Sequence, residues 1–516
     1  MLEKNYNKIH TWLKTDFKEN TINEVKDEIT NILIRDDNSS KDLCNLYFRE
    51  IAYIVHKFSQ KPWTTQKTII EKLDITKEVL IKINSLLRDN PAIQKIILDN
   101  GVGRKYWKTI IPFAESTKDV LENKIKFPKR IALFPGVSCM FYCGFCGRNQ
   151  KEKYPLNIVD ESLMTYEKLF SEKSHDTAFS ISGGLEPLTN PKLGKIIECA
   201  SRNKIRVPLI TNGYSLTESY VENNPGLWML DSLRISLYGV DDDTYFYITR
   251  SKKGYQMVKK NVINFLKKRN QINPNLKVGF NFIILSENIN YFEKILDLIK
   301  EINLEVKNGN GVDFLSLRDD YQSVTGNNEK NDVDRKYRLD GTMRDSERLT
   351  LMVKIQDFIR RKNEMFNQLH IDFGYSLENL ANGFIGDPLI QVSGDKMRGY
   401  GFPQLSVAVD LYGDVFLFRE AGFLNREGNE KFIIGRISPG ESIKNIIEKF
   451  LAKKKPLTYQ KDDSRFMDSF DHVLTVLVNQ AQDDRDFDIP FQIGPIKVRT
   501  QVNKINLGNN WYSDNV

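Results

Sequence analysis

The sequence is poor in cysteine and contains no long run of apolar residues. Five cysteines in 516 residues exclude a fold that is held together by disulfide bonds. No apolar run approaches the roughly 18 residues that a membrane helix requires, and the polar first residues form no apolar signal segment. We therefore expect a soluble, cytoplasmic protein that does not contact a membrane.

Neither sign of charge dominates, and histidine is scarce. The net charge of +7 arises from 75 basic and 68 acidic residues, which does not predict a nucleic-acid-binding surface but is compatible with an anionic ligand. The five histidines form no pair at metal-ligand spacing. With 40% hydrophobic residues the chain can bury a sizeable core, and its length predicts roughly two to four domains or one large barrel with additions.

The pattern of apolar residues changes near residue 126. Residues 1–125 contain amphipathic segments separated by polar turns, which predicts a helical N-terminal domain. Residues 126–370 alternate short β-branched runs with longer amphipathic segments, and this alternation predicts a parallel sheet. Residues 371–516 lose that regularity and are interpreted as a C-terminal α+β region that caps the substrate, with a hairpin over residues 404–419.

The repeated units predict an α/β fold, namely a partial (β/α)6 barrel of the TIM type. Parallel barrels place their chemistry at the carboxyl ends of the strands. A polar, turn-rich segment over residues 327–336 is interpreted as a surface loop. The predicted strands are Arg130–Phe134, Thr177–Ser182, Arg206–Thr211, Ser232–Leu237, Lys277–Leu285 and Val312–Leu317, and the predicted helices include Lys192–Arg202, Tyr255–Arg269, Tyr291–Ile302 and Ser346–Gln368.

Three cysteines, Cys139, Cys143 and Cys146, lie in the loop that follows the first predicted strand. Thiolates bind both zinc and iron–sulfur clusters, so the ligand type alone does not choose between them. A structural zinc site requires four ligands, and the nearest histidine in the sequence is His175. Three thiolates leave one corner of a cubane cluster open for a further ligand, which favours a cluster over zinc.

The spacing CxxxCxxC after the first strand of a βα series, with Phe145 before the last cysteine, resembles the radical S-adenosylmethionine (SAM) superfamily. The resemblance implies a [4Fe–4S] cluster bound by Cys139, Cys143 and Cys146, with SAM on the fourth iron. It further implies reductive cleavage of SAM to methionine and a 5′-deoxyadenosyl radical, which abstracts hydrogen from a substrate. Tyr142 and Phe145 are expected to contact the cofactor.

Glycine and polar residues follow the next two predicted strands. Gly183, Gly184 and Glu186, in the sequence SGGLEP, resemble the superfamily motif whose backbone and acidic residue hold the methionyl amine of SAM. One inserted residue leaves open whether Glu186 or backbone carbonyls make that contact, and a plain βα turn is the alternative. Asn212, in the sequence TNG, resembles a second cofactor contact, although Asn-Gly is also common turn chemistry.

Further polar residues lie on or after the later strands. Ser236 and Arg234 share one face of the fourth strand and are expected to contact SAM, with a structural ion pair as the alternative for Arg234. Asn288 is expected to contact the cofactor or to cap the following helix. Arg318, and Arg419 from the cap, are expected to bind an anionic part of the substrate, with surface salt bridges as the alternative for Arg318.

The helical N-terminal region, the cysteine loop, the SGGLEP variant and a cap without cysteine together resemble the radical SAM aminosugar lyases. This resemblance implies hydrogen abstraction from a nucleoside-diphosphate amino-deoxysugar, with loss of ammonia to give a keto-deoxysugar. The alternatives are a radical dehydratase, dehydrogenase or epimerase of an aminosugar or aminoglycoside, and an iron–sulfur electron carrier or sensor. A flavodoxin or ferredoxin is expected to donate electrons. Cys44 and Cys199 are interpreted as core residues and predict no auxiliary cluster.

Overall fold

The computed structural model describes most of the chain. The described ranges are residues 2–34, 38–60, 66–88, 124–148, 151–174, 177–285, 288–307, 309–319, 345–374 and 401–453, with single residues between 90 and 122, 377 and 381, and 463 and 478. The predicted surface loop over residues 327–336 lies outside them.

Within the described residues, the N-terminal region contains six α-helices. Ile51, Ile54, Val55 and Phe58 are fully buried and recur at helical spacing, so they form one apolar face. The core of this region also includes Leu405 and residues of the segment 474–478, so the helices share it with the C-terminal part of the chain. The helices are α1 (Leu2–Leu13), α2 (Lys26–Leu33), α3 (Asn38–Leu46), α4 (Phe48–Gln60), α5 (Gln66–Leu73) and α6 (Lys77–Arg88).

A ten-stranded, mostly parallel sheet forms the rest of the described fold, in the order β10-β9-β8-β1-β2-β3-β4-β5-β6-β7. The predicted α/β class is confirmed, and each of the six predicted strands is present. The strands are β1 (Arg130–Leu133), β2 (Ala178–Ile181), β3 (Pro208–Thr211), β4 (Ser232–Leu237), β5 (Lys277–Ile284), β6 (Phe314–Asp319), β7 (His370–Phe373), β8 (Ser406–Val409), β9 (Asp414–Phe416) and β10 (Ile433–Arg436).

The sheet extends beyond the six predicted strands at both edges. Strand β7 pairs in parallel with β6. The predicted hairpin is formed by β8 and β9, and its turn uses Gly413 at φ 81°, a backbone conformation that favours glycine. Strand β8 pairs in parallel with β1, so the first half of the C-terminal region continues the central sheet.

Helices cover one face of the sheet, while the opposite face carries many polar side chains. In β4, Leu233, Ile235 and Leu237 belong to the main apolar core, whereas the alternate residues of the strand are Ser232, Arg234 and Ser236, as period-two alternation requires. The helices are α7 (Ile158–Ser171), α8 (Leu193–Arg202), α9 (Glu218–Asn223), α10 (Asp242–Thr249), α11 (Gly254–Ile272), α12 (Ile295–Val306), α13 (Asp345–Met365) and α14 (Ile443–Ala452).

The parallel strands place their carboxyl ends at one edge of the sheet. The cysteine loop follows β1, the SGGLEP sequence follows β2 and the TNG sequence follows β3, so these three segments meet at that edge. No helix in the described part of the chain is long and apolar enough to cross a membrane.

Candidate active site

The three clustered cysteines line one cavity of about 140 Å³ at the carboxyl ends of β1 to β4. The loop turns back on itself through a hydrogen bond of 3.1 Å from the Cys146 N–H to the Cys143 carbonyl. Within the described residues, no three His, Cys, Asp or Glu side chains are arranged to hold a single metal ion. Thiolates that each bind a different iron of a cubane need not converge on one point, so this arrangement is compatible with a cluster.

One buried cation lies beside these thiols. Burial raises the pKa of the Cys139 thiol to about 11, and the charge of Arg148 opposes that rise. Burial likewise raises the pKa of Cys143 and Cys146, again against the charge of Arg148. The Arg148 guanidinium donates a hydrogen bond to the Phe141 carbonyl. Arg148 therefore braces the cysteine loop and places a positive charge next to groups that become anionic when they bind iron.

The SGGLEP segment is attached to the cysteine loop by its backbone. The Glu186 N–H donates a hydrogen bond of 2.9 Å to the Ser138 carbonyl. The Thr189 hydroxyl accepts hydrogen bonds of 3.0 Å from the Val137 and Ser138 N–H groups. A Cβ atom at Gly136 would lie 2.5 Å from the Leu185 backbone, so only glycine permits this close approach. The two loops consequently form one rigid wall of the cavity.

The carboxylate of Glu186 is held by the protein itself. It accepts hydrogen bonds from the Leu188 N–H at 3.0 Å and the Asn212 N–H at 2.8 Å, as well as from the Thr211 hydroxyl. Burial raises the pKa of this carboxyl, and these three hydrogen bonds oppose the rise. Glu186 therefore joins the ends of β2 and β3, and its contact with SAM remains a prediction.

Asn212 connects the third strand to the cysteine loop. Its side-chain amide donates toward the Cys139 sulfur at 3.9 Å and the Met140 sulfur at 3.2 Å. Its side-chain oxygen accepts a hydrogen bond of 2.9 Å from the Tyr214 N–H, and the adjacent Gly213 has a φ of 73°. The predicted TNG turn thus aims one N–H donor at a predicted cluster ligand, a contact that stabilises a thiolate.

Aromatic rings surround the cysteine loop. The Phe145 and Tyr238 ring centroids lie 5.3 Å apart, and Phe141 packs edge-on against Tyr245 at 5.8 Å and Tyr214 at 5.5 Å. Phe145, a predicted cofactor contact, lines the cavity, and so does Tyr238. These rings limit the access of water to the cavity and support the loop in one conformation.

The cavity lining includes residues that were not predicted from the sequence, among them Tyr238 and Arg148. Tyr238 lies two residues after Ser236 and shares its face of the chain, so strand periodicity could have identified it. Arg148 is the basic residue nearest to the last cysteine of the motif. Its nearness in sequence to three cysteines could have identified Arg148 as a site residue. The sequence alone, however, does not distinguish a buried arginine at this position from a solvent-exposed one.

The cavity lining contains nine of the fourteen predicted site residues, namely Phe145 and eight others, and five lie outside it. The lining includes the three cysteines, Gly183, Gly184, Glu186, Asn212 and Ser236. The five residues outside this lining are Tyr142, Arg234, Asn288, Arg318 and Arg419.

The first three outlying residues make contacts within the protein, and their contacts with SAM remain predictions. Tyr142 is 46% exposed in the cysteine loop. Arg234 is buried, with its guanidinium 5.5 Å from the centre of the Phe314 ring. Asn288 accepts from the Leu285 N–H at 2.8 Å and donates to the Ile283 carbonyl at 2.7 Å. Asn288 therefore closes the turn after β5, and its polar groups are used within that turn.

Both predicted substrate arginines form ion pairs within the protein. Arg318 donates to the Asp372 carboxylate at 2.7 Å. Arg419 donates to the Ser182 hydroxyl at 2.8 Å and lies 3.3 Å from the Asp468 carboxylate. Each positive charge is consequently balanced by a neighbouring carboxylate before any substrate is bound, which weakens the attraction of either arginine for a diphosphate.

A polar row crosses the inner face of the sheet. Ser236 is in register with Asn281, Asn281 with Ser316, and Ser316 with Asp372, on strands β4 to β7. Ser236 lines the cavity at the cysteines. Ser316 and Asp372 line a second and larger cavity of about 700 Å³ that extends to the amino ends of β5 to β7. The first cavity carries the cysteines, so its chemistry rather than its size identifies it as the candidate active site.

Comparison with known proteins identifies the family. Residues 133–299 match the model of the radical SAM superfamily. The dTDP-4-amino-4,6-dideoxy-D-glucose ammonia-lyase of Streptomyces venezuelae is 31% identical over 441 residues, which cover 84% of this chain and 87% of that protein. The chain belongs to the radical SAM superfamily. Its cofactors are a [4Fe–4S] cluster and SAM, and the soft, three-thiol donor set at the cavity fits such a cluster.

Two solved structures resemble this radical SAM enzyme more distantly. Streptococcus suis SuiB bound to S-adenosylmethionine is 15% identical, with a TM-score of 0.40 over 78% of this chain and 77% of that chain. The structure of anSMEcpe with bound AdoMet and Cp18Cys peptide is 15% identical, with a TM-score of 0.41 over 72% of this chain and 99% of that chain.

Proposed function

We propose that this radical SAM enzyme is a lyase that removes ammonia from a nucleoside-diphosphate amino-deoxysugar and leaves a keto-deoxysugar. The observation that carries the proposal is the 31% identity to an aminosugar ammonia-lyase over 84% of the chain. The polar inner wall of the sheet supports it, because a sugar presents hydroxyl and amino groups that require hydrogen-bonding partners.

The chain's own residues would hold the cofactors as follows. Cys139, Cys143 and Cys146 would bind three irons of the cluster, and the backbone of Gly183 and Gly184 would accept the methionyl amine of SAM. When bound, these cofactors supply a 5′-deoxyadenosyl radical that abstracts a hydrogen atom from the substrate. Gly184 has a φ of 75°, and an added Cβ would lie 3.3 Å from the Phe134 ring. Glycine at this position therefore keeps the backbone open to a ligand.

The substrate would lie against the polar row that starts at Ser236. Ser316 is fully buried, and its hydroxyl has no hydrogen-bond partner among the described residues. The adjacent Arg318–Asp372 ion pair offers hydrogen-bond donors and an acceptor, and Asp372 is in register with Ser316. A buried hydroxyl without a partner is costly, so a bound sugar that pairs with it would gain affinity. The protein's main task is to restrict which hydrogen the radical can reach.

The proposed reaction balances in atoms and electrons. Hydrogen is taken from the carbinol carbon next to the carbon that bears the amine. The C–N bond then breaks, and the amine leaves as ammonia with the proton that the hydroxyl group releases as the carbinol becomes a ketone. One electron and one proton delivered to the former amino carbon complete the keto-deoxysugar. A flavodoxin or ferredoxin is the proposed source of electrons.

A substrate deuterated at the carbinol carbon tests this proposal. Anaerobic turnover of a dTDP-linked 4-amino-deoxysugar is expected to place deuterium in 5′-deoxyadenosine and to release one ammonia per product. Deuterium transfer without ammonia would replace the lyase with a dehydrogenase. Absence of transfer from every aminosugar in a panel, with SAM cleavage intact, would reject the substrate class.

A further inference from the structure

Reduction of the cluster requires an electron from outside the chain. Iron–sulfur relays within a protein are held by cysteines, and this chain has only two besides the three proposed ligands. Cys44 is buried in the N-terminal helical core, and Cys199 is buried on α8 in the main core. These two cysteines belong to different cores and cannot together hold a second cluster. An external donor must therefore approach the cysteine loop closely.

Exposed aromatic side chains lie on that loop and on helix α10, which the loop contacts. Tyr142, between Cys139 and Cys143, is 46% exposed, and Phe246 and Tyr247 on α10 are 37% and 54% exposed. A hydrogen bond of 2.9 Å from the Tyr142 N–H to the Thr249 carbonyl joins the loop to the end of α10. Large exposed rings beside a buried redox site are typical of a contact surface for a partner.

Basic residues accompany these rings. The Arg250 guanidinium lies 5.3 Å from the centre of the Tyr247 ring, and the neighbouring Lys252 and Lys253 are exposed. The acidic residues of α10 lie in its first turn, at the opposite end of the helix. The end of α10 that touches the cysteine loop is therefore positively charged. We call Tyr142, Phe246, Tyr247, Arg250, Lys252 and Lys253 the Tyr142 surface.

We propose that the Tyr142 surface is the docking site of a small, acidic one-electron carrier protein. Tyrosine and arginine are enriched at protein interfaces, electron-transfer complexes have small contact areas, and opposite charges accelerate their encounter. In the docked complex the carrier is oxidised by one electron and the cluster is reduced by one. The inference depends on the proposed ligand role of the three cysteines and is independent of the aminosugar.

The test separates docking from chemistry by changing the reductant. A variant with Arg250→Glu, Lys252→Glu and Lys253→Glu is compared with the native enzyme in SAM cleavage without sugar, scored as 5′-deoxyadenosine. With reduced flavodoxin or ferredoxin as donor, we expect the rate at low carrier concentration to fall at least tenfold and to lose its dependence on salt. With dithionite, which needs no docking site, the rate and the iron content are expected to match those of the native enzyme.

A control variant carries the same change in net charge on other helices. Lys267→Glu, Lys300→Glu and Lys444→Glu alter exposed residues of α11, α12 and α14, and this control is expected to keep the carrier-dependent rate. An equal loss in both variants would overturn the docking site, as would a carrier-dependent rate that is unchanged in the first variant.

Tyr247→Ala, which leaves every charge in place, is expected to raise the carrier KM; an unchanged KM would remove the aromatic part of the surface. Comparing the two carriers shows whether the flavin or the iron–sulfur protein is preferred.

Discussion

The Asn212 N–H donates a hydrogen bond of 2.8 Å to the buried carboxylate of Glu186. The bond connects two residues that are 26 positions apart, one after β2 and the other after β3. Since the Asn212 side chain in turn faces the Cys139 sulfur, the carboxylate fixes the position of a group that contacts a proposed cluster ligand. Glu186 therefore positions Asn212 in the site, and this role does not depend on a contact between Glu186 and SAM.

Replacement of Glu186 by alanine is expected to weaken SAM binding at least tenfold and to lower the free energy of unfolding by about 2–6 kcal/mol. The substitution leaves the Leu188 and Asn212 N–H groups without their acceptor, and each unsatisfied buried donor costs about 1–3 kcal/mol. Glu186→Gln keeps one oxygen and should lose less. Equilibrium SAM binding and urea denaturation measure both effects. Glu222→Ala, which breaks an exposed pair with Lys268, serves as the control and should leave SAM affinity unchanged.

The five cysteines allow a matched test of the cluster. Cys139→Ala, Cys143→Ala and Cys146→Ala are each expected to abolish SAM cleavage and to reduce the iron bound after anaerobic reconstitution from about four per chain. Cys199→Ala removes a buried thiol from α8, away from the cavity, and should keep full iron content with some loss of stability. Iron and sulfide analysis of each variant measures whether the cluster is bound. Stoichiometric zinc without sulfide in the native protein would contradict the ligand assignment.

The sequence predicted the central sheet well because its signal is local. Each strand from β1 to β6 is a short buried run followed by turn residues, and the structure places all six where the pattern did. Strand β7, His370–Phe373, follows a long helix and is only four residues long, with one buried residue, so it lacked that signal. The β8–β9 hairpin was predicted, but the parallel pairing of β8 with β1 was not. That pairing joins residues that are far apart in the sequence, such as Arg130 and Ser406. A hairpin sequence does not specify which sheet edge it occupies.

The predicted site residues likewise fall into those with a local sequence signal and those without one. The cysteines, glycines, Asn212 and Ser236 share a cavity because each lies at the carboxyl end of a parallel strand, and topology alone brings such ends together. Arg318 and Arg419, which were predicted to bind the substrate, lie outside that cavity lining. Their ion-pair partners, Asp372 and Asp468, are 54 and 49 positions away. Ion pairs between residues so distant in sequence carry no local pattern.

Arg419 connects the C-terminal segment to the glycine loop, and its removal is expected to destabilise the protein. Arg419→Met would break the hydrogen bond to Ser182 and leave Asp468 with only Arg130, at 3.6 Å, among its described ion-pair partners. We expect the free energy of unfolding to fall by about 3 kcal/mol, the lower end of the cost of breaking a buried pair. Adding Asp468→Asn should restore part of that loss, as measured by denaturation. If Arg419 instead binds the substrate diphosphate, the variant would raise the substrate KM with unchanged stability.

Asp410 is expected to make the stability of the protein dependent on pH. Its carboxylate accepts a hydrogen bond of 2.9 Å from the Tyr154 hydroxyl, and burial, together with the charge of Asp414, raises its pKa from 3.8 to about 7. Between these two values the folded protein holds a proton that the unfolded chain has released, so the free energy of unfolding decreases as the pH rises through this window.

Asp410→Asn, which cannot ionise, is expected to flatten that decrease. Urea denaturation between about pH 5 and pH 8 compares the slopes of the native protein and the variant. Asp297→Asn changes an exposed aspartate that pairs with Arg361 and should keep the native slope, since its charge is largely screened by solvent. Equal slopes for the native protein and Asp410→Asn would show that Asp410 is already ionised throughout this window, and would then place the proton elsewhere in the buried network.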